Sequence, residues 1–202
     1  MDVLSDVIFA AAQSPWAFVL LAALLIIDGF FPLVPGETTV VALATLGAAG
    51  HGPNPLAVLG VAIVATVLGD CVAFWIGRRV GMSRWRWMRH PRAVRAKEWA
   101  GGHILGTPGR VLVGAKFVPY ARVAVTMTAG ASSLSKRTFV GFSIVAASVY
   151  TIYHVVVGSV TGTIFATNPL MALVVSIGLG LLIAALIALI TRQLQRRGLR
   201  SV

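Results

Sequence analysis

The sequence predicts an all-α polytopic membrane protein, with about four transmembrane helices and two re-entrant helical hairpins entering from opposite faces. Three observations predict it. First, 57% of the 202 residues are hydrophobic, only 11% are charged, and the mean hydropathy is +0.88. That balance belongs to a membrane bundle rather than a soluble domain. Second, basic residues gather beside the apolar stretches, as they do where topology is set by cytoplasmic cations. Third, two apolar stretches are interrupted by proline, glycine and charge at the same time. Broken backbone at membrane depth is tolerated where protein buries it or water lines it, and ionisable groups there mark ion or substrate pathways.

The whole chain, 1–202, reads as a single membrane domain. Residues 2–13 form a short segment lying at the interface. Ala17 to Ile27 is apolar and makes a first span, broken near Asp28 and Gly29. The first hairpin is placed at 28–49. Its opening reads Asp-Gly-Phe-Phe-Pro-Leu-Val-Pro-Gly-Glu, so Asp28 and Glu37 stand nine positions apart in an apolar run. Pro32 and Pro35 each remove a backbone donor and clash with the preceding turn, and Gly36 weakens helix further. Residues 50–55, Gly-His-Gly-Pro-Asn-Pro, are a turn. Leu56 to Ile76 is long enough to span and carries Asp70.

Residues 78–110 form a basic cytoplasmic loop with nine Arg or Lys residues and one acid, Glu98. Trp85, Trp87 and Trp99 fit a segment pressed on the headgroup layer. The second hairpin covers 111–133, where Lys116, Pro119 and Arg122 interrupt an apolar run. Phe139 to Val160 and Leu170 to Ile190 are further spans. Arg192, Arg196, Arg197 and Arg200 then anchor a cytoplasmic tail, 191–202. With the loop and the tail both inside, 111–133 enters and leaves on the cytoplasmic side and 28–49 on the outer side. Both termini are then inside, in the cytoplasmic (inner) cell membrane. No signal peptide is expected.

The net charge of +11 is read as topology and contact with anionic lipid heads, not as nucleic-acid binding. One cysteine, Cys71, excludes an intramolecular disulfide framework. Four dispersed histidines and that cysteine show no metal-ligand spacing, so no metal and no cofactor are expected. No phosphate-cradling loop or nucleophile elbow is present, and an enzyme is not expected. The Gly-x-x-x-Gly run from Gly158 to Gly162 is a common helix-packing pattern.

The chemistry falls on two acids and two bases. Asp28 and Glu37 on one broken element suit proton uptake and release, since burial raises a carboxylate's pKa and a nearby cation lowers it. Lys116 and Arg122 on the other suit a phosphate head group, Arg as a planar fork and Lys as a point charge. Acid and base are expected to pair across the bundle. Asp70 reads either as an accessory site residue or as a helix residue pairing with Arg78 or Arg79. Tyr120 and Arg78 are further accessory candidates, and Pro119 breaks the second hairpin. His154 reads as a packing histidine rather than a proton relay, and His51 as an exposed turn residue.

These residues carry a family resemblance. The acid, the Phe-Pro-x-x-Pro-Gly and the second acid between Asp28 and Glu37 resemble the DedA family, the bacterial branch of the SNARE-associated or VTT-domain superfamily. Leu68-Gly69-Asp70 through Trp75-Ile76-Gly77-Arg78-Arg79-Val80-Gly81 is similar to its second motif. Lys116-Phe117-Val118-Pro119-Tyr120-Ala121-Arg122 resembles its Arg-Phe-x-Pro-x-x-Arg signature. Ala129-Gly130 with Lys136-Arg137-Thr138-Phe139 matches the segment that follows. The resemblance covers about Asp28 to Gly162.

It implies facing re-entrant hairpins and movement of lipid head groups across the bilayer, coupled to protons or membrane potential. The expected cargo is a polyprenyl phosphate such as undecaprenyl phosphate. A phosphatidylethanolamine flippase or phospholipid scramblase is one alternative, and a small proton-coupled cation or drug antiporter another. Membrane lipids and protons are the implied partners, and a homo-oligomer is compatible with the sequence. The family's functional acids fall on Asp28 and Glu37 and its functional arginines on Lys116 and Arg122. Asp28 stands where Glu is commoner, and Lys116 where Arg is usual, which removes one bidentate fork.

Overall fold

The computed structural model describes residues 2–31, 34, 36–79, 94, 98, 100–118, 121–168, 171–179 and 182, with side chains from residue 7 onward. Among the described residues the helices that carry the fold are α1 (Asp2–Gln13), α2 (Trp16–Asp28), α3 (Gly36–Ala48), α4 (Pro55–Arg79), α5 (Pro108–Lys116), α6 (Ala121–Ala131) and α7 (Lys136–Ile164). No strand occurs among the described residues.

Helix starts follow local chemistry. The Asn54 side chain accepts from Leu56 N at 2.8 Å ahead of α4, and Ser135 accepts from Thr138 N at 3.1 Å at the head of α7. Both satisfy a backbone donor that the first turn leaves unpaired. Pro108 opens α5, where a missing N–H costs nothing.

Length separates two classes of helix. α4 has 25 residues and α7 has 29, roughly 37 and 43 Å at 1.5 Å per residue, so each exceeds a hydrocarbon core of about 30 Å. These two are long and apolar enough to cross a membrane. The residues from Val7 to Gln13 meet α2 at 80°, and counting that bent pair as one span gives three. The sequence expectation of about four spans includes 170–190, of which the structure describes 171–179 and 182.

The remaining helices are short. α2 and α3 have 13 residues each, α5 has 9 and α6 has 11. At about 20 Å or less, none of them crosses alone. The expected hairpin at 28–49 therefore holds one helix, α3. The helix across the break is α2, which the sequence suggested as a first span. Between α2 and α3 the sequence carries Pro32 and Pro35, each of which disfavours helix. The second pair, α5 and α6, lies at 108–131, close to the expected 111–133. Pro32, Pro35, Pro119 and Tyr120 lie outside the described residues, as do most of the basic loop 78–110 and the whole tail 191–202.

The two long helices act as spines. α2 and α6 lie along α4, while α3 and α5 lie along α7, and the spines also touch each other. Glycine makes each of these four contacts close. A Cβ on Gly77 or Gly130 would overlap the carbonyl of Met127 or Phe74, locking α4 to α6. A Cβ on Gly29 would come within 2.6 Å of the Gly69 backbone, between the end of α2 and α4. Gly158 and Gly162 sit under the Val41 and Thr45 carbonyls of α3, so the Gly-x-x-x-Gly run does pack two helices here. Gly109 of α5 lies against the Phe142 ring of α7. Each broken element is thus divided, with one arm on α4 and the other on α7.

Candidate functional site

Four helix ends converge where the two breaks meet. Asp28 is the last residue of α2, Glu37 the second of α3, Lys116 the last of α5, and Arg122 the second of α6. A helix is partly positive at its N-terminus and partly negative at its C-terminus. Glu37 and Lys116 therefore stand at favourable ends, and Asp28 and Arg122 at unfavourable ones. The last two compensate each other. Arg122 Nη2 donates to the Asp28 backbone carbonyl at 2.7 Å, which satisfies an orphan carbonyl at the end of α2. The same nitrogen lies 2.8 Å from Asp28 Oδ2. That second contact is an ion pair, since Oδ2 has no aligned donor among the described residues.

Arg122 also reaches the other acid. Its Nη1 lies 3.5 Å from Glu37 Oε1. The guanidinium therefore joins the two carboxylates that the sequence placed nine residues apart. Arg122 and Asp28 are buried, whereas the Glu37 side chain keeps 37% of its exposure. Glu37 is the member of the cluster that opens outward. Gly36 is buried against Asp28 and Leu25, so the chain turns tightly between the two acids.

Lys116 does not join this group in the expected way. Its Nζ donates to Asp70 Oδ2 at 2.7 Å, with both side chains 4% exposed. Ser143 Oγ donates to the same oxygen at 2.6 Å. The pairing expected from sequence, Lys116 with Asp28 or Glu37, is replaced by Lys116 with Asp70 of α4. The alternative pairing of Asp70 with Arg78 or Arg79 is replaced as well. Arg78 lies over the Phe74 ring and donates to the Leu134 carbonyl at 3.1 Å, while Arg79 lies over Trp75. These two sit at the end of α4, a full two turns beyond Asp70. Asp70 Oδ1 is buried without a partner among the described residues.

α7 adds a polar face that sequence reasoning missed or misread. Ser143 binds Asp70, the Tyr150 ring lies against His154, and His154 Nε2 stands 4.0 Å from Glu37 Oε2. His154 Nδ1 donates to the Tyr150 carbonyl at 2.8 Å. Phe117 at the end of α5 packs edge-on against Tyr150 and Tyr153. The signal was in the spacing: Ser143, Ala147, Tyr150, His154 and Gly158 recur at helical intervals and form one buried stripe. His154 is therefore a neighbour of the acids rather than a packing residue alone. Among the described residues no group of His, Cys, Asp and Glu has metal-binding geometry.

Chemically, the cluster is a set of replaceable ion pairs in a dry interior. Arg122 offers a fork already bound to oxygen, and Lys116 a point charge, so an anionic oxygen could take the place of a carboxylate at either. The carboxylates so released would need protons, since unpaired charge is costly here.

A family model described as the VTT domain matches residues 31–160. An uncharacterized membrane protein of Mycobacterium tuberculosis (strain CDC 1551 / Oshkosh) is 33% identical over 153 residues, 71% of this chain and 66% of its own length. One from Mycobacterium leprae (strain TN) is 31% identical over 140 residues, 68% of this chain and 61% of its own length. The chain thus spans under two thirds of the length of these relatives. No solved structure matches. A family match that runs over more than half of the chain, from the first break into α7, places this membrane protein: the chain belongs to the VTT-domain (DedA) family.

Proposed function

We propose that the protein moves a phosphate-bearing lipid head group, of the polyprenyl phosphate class that includes undecaprenyl phosphate, across the cytoplasmic membrane in exchange with protons. The coarser role, a membrane transporter rather than an enzyme, follows the family. The observation that carries the finer reading is the meeting of four helix ends around Arg122, with Lys116 and Asp70 beside them. Discontinuous helices that bring charged ends together are how transporters build substrate and ion sites.

In this mechanism α2 and α3 form one re-entrant hairpin and α5 and α6 the other. They enter from opposite faces, with both chain termini in the cytoplasm. The phosphate head displaces carboxylate from Arg122 and Lys116, and the displaced acids take up protons. The lipid tail stays outside the bundle. Access alternates along the seam between the two glycine-packed bodies, α2-α4-α6 and α3-α5-α7. The Lys116–Asp70 and Arg122–Glu37 contacts cross that seam, so head-group binding loosens it.

The experiment is transport in reconstituted vesicles of labelled polyprenyl phosphate against phosphatidylethanolamine, with and without a proton gradient. Polyprenyl phosphate movement that depends on the gradient supports the reading, and Arg122→Ala should abolish it while the protein still inserts. Gradient-independent movement of phosphatidylethanolamine would instead identify a scramblase. One observation favours a second reading: three buried or half-buried acids face two bases, an excess of one negative charge. That excess suits a small proton-coupled cation antiporter. Such a protein would drive cation flux and move no lipid.

A further inference from the structure

Charge balance in the cluster points to a proton carrier on α7. Asp28, Glu37 and Asp70 supply three negative charges, and Lys116 and Arg122 supply two positive ones. A cluster so little exposed is costly to leave one charge out of balance. The groups facing His154 are Glu37 from α3 and Arg122 from α6, with Tyr150 and Tyr153 from its own helix. Asp70 of α4 and Lys116 of α5 are engaged with each other. His154 is therefore the titratable base, among the described residues, placed to supply the missing positive charge.

Its geometry fits that task. A carbonyl only accepts, so the 2.8 Å contact with Tyr150 puts a hydrogen on Nδ1 in either charge state. The second nitrogen, Nε2, is left facing Glu37 Oε2 at 4.0 Å. Glu37 meets Arg122 through its other oxygen, Oε1, at 3.5 Å. Nε2 is thus the free ring nitrogen beside the cluster on which the balancing proton can sit. Glu37 is also the partly exposed member of the cluster, so a proton can arrive through it.

We propose that His154 is a further proton-carrying site beside the acids, taking a proton at Nε2 by way of Glu37, with the Tyr150 carbonyl holding the ring in position. The proposal rests on the proton-linked reading above for its use in transport, but its chemistry can be tested without any lipid substrate. Nitrogen NMR of the full chain in nanodiscs, with labelled histidine, reports how many ring nitrogens carry a proton. The His154 signal is identified by its loss in His154→Gln.

In the wild type the imidazolium form should appear as pH falls toward about 5. In Glu37→Gln two acids face two bases, and the imidazolium fraction at about pH 6 should drop roughly tenfold, leaving the proton on Nδ1 alone. Glu37→Asp keeps the charge and should restore the cation. An imidazolium fraction unchanged by Glu37→Gln overturns the proposal, and so does a His154 that stays neutral throughout in the wild type. If the NMR behaves as expected but labelled polyprenyl phosphate is not moved, the substrate reading fails and the proton site stands.

Discussion

Replacing Lys116 by Met leaves Asp70 buried with its cation gone, and that perturbation tests the least expected contact in the site. Lys116 Nζ and Asp70 Oδ2 are 2.7 Å apart, each on a side chain 4% exposed. At an effective dielectric of about 20 the direct attraction is on the order of 6 kcal/mol, most of it offset by the desolvation of both ions. Removing one partner exposes that desolvation without compensation, and costs about 3–5 kcal/mol. Removing both, in Lys116→Met with Asp70→Asn, should return stability to within about 1 kcal/mol of wild type, since apolar or neutral replacements of a buried pair are often neutral. The expected coupling energy is therefore about 3 kcal/mol or more. The assay is a double-mutant cycle of unfolding free energy in mixed micelles, run in parallel for Lys116→Met with Asp28→Asn. That second cycle should couple by less than about 1 kcal/mol. Near-additivity with Asp70 together with strong coupling to Asp28 would refute the reasoning and restore the pairing read from sequence.

Other outcomes follow from the same geometry. Arg122→Lys cannot hold the Asp28 carbonyl, the Asp28 carboxylate and Glu37 together; transport in vesicles should fall at least tenfold, while thermal unfolding shows a loss of about 1–3 kcal/mol. Ser143→Ala removes one of the two donors on Asp70 Oδ2 and should cost about 1.5–3 kcal/mol, read by unfolding in detergent. Gly130→Ala puts a methyl into the Phe74 carbonyl and should separate α4 from α6, lowering stability by about 1–3 kcal/mol or more. Gly60→Ala, in the same spine with nothing within 4 Å, should leave stability unchanged or raise it by up to about 1 kcal/mol. Equal effects at the two glycines would mean that close packing on α4 is not what holds α6.

How far the sequence reached depended on the range of the interaction. The ends of α2 and α5 were legible because proline and glycine act on their own turn of backbone. The spines α4 and α7 were legible as apolar runs of sufficient length. Asp28, Glu37 and Arg122 were legible as a group because charge inside such runs needs a partner. A 13-residue apolar stretch such as α2 reads from sequence alike as a span fragment or a half-helix. Lys116 was assigned to the wrong acid because Asp28, Glu37 and Asp70 are equally good partners on paper. Tyr150 and His154 carried a periodic signal, but a polar stripe on an apolar helix declares no partner until another helix is laid against it.

By itself, then, the chain determined that it lives in a membrane, where its backbone breaks, and that opposite charges must meet inside. Those are consequences of local chemistry and of a solvent that does not tolerate unpaired ions. Tertiary structure decided which charge meets which. Glycine contacts set α2 and α6 on one spine and α3 and α5 on the other, and that placement brings Lys116 to Asp70 and His154 to Glu37. Partner choice among like carboxylates is a matter of a few ångströms, and only the packing of backbones fixes distances on that scale.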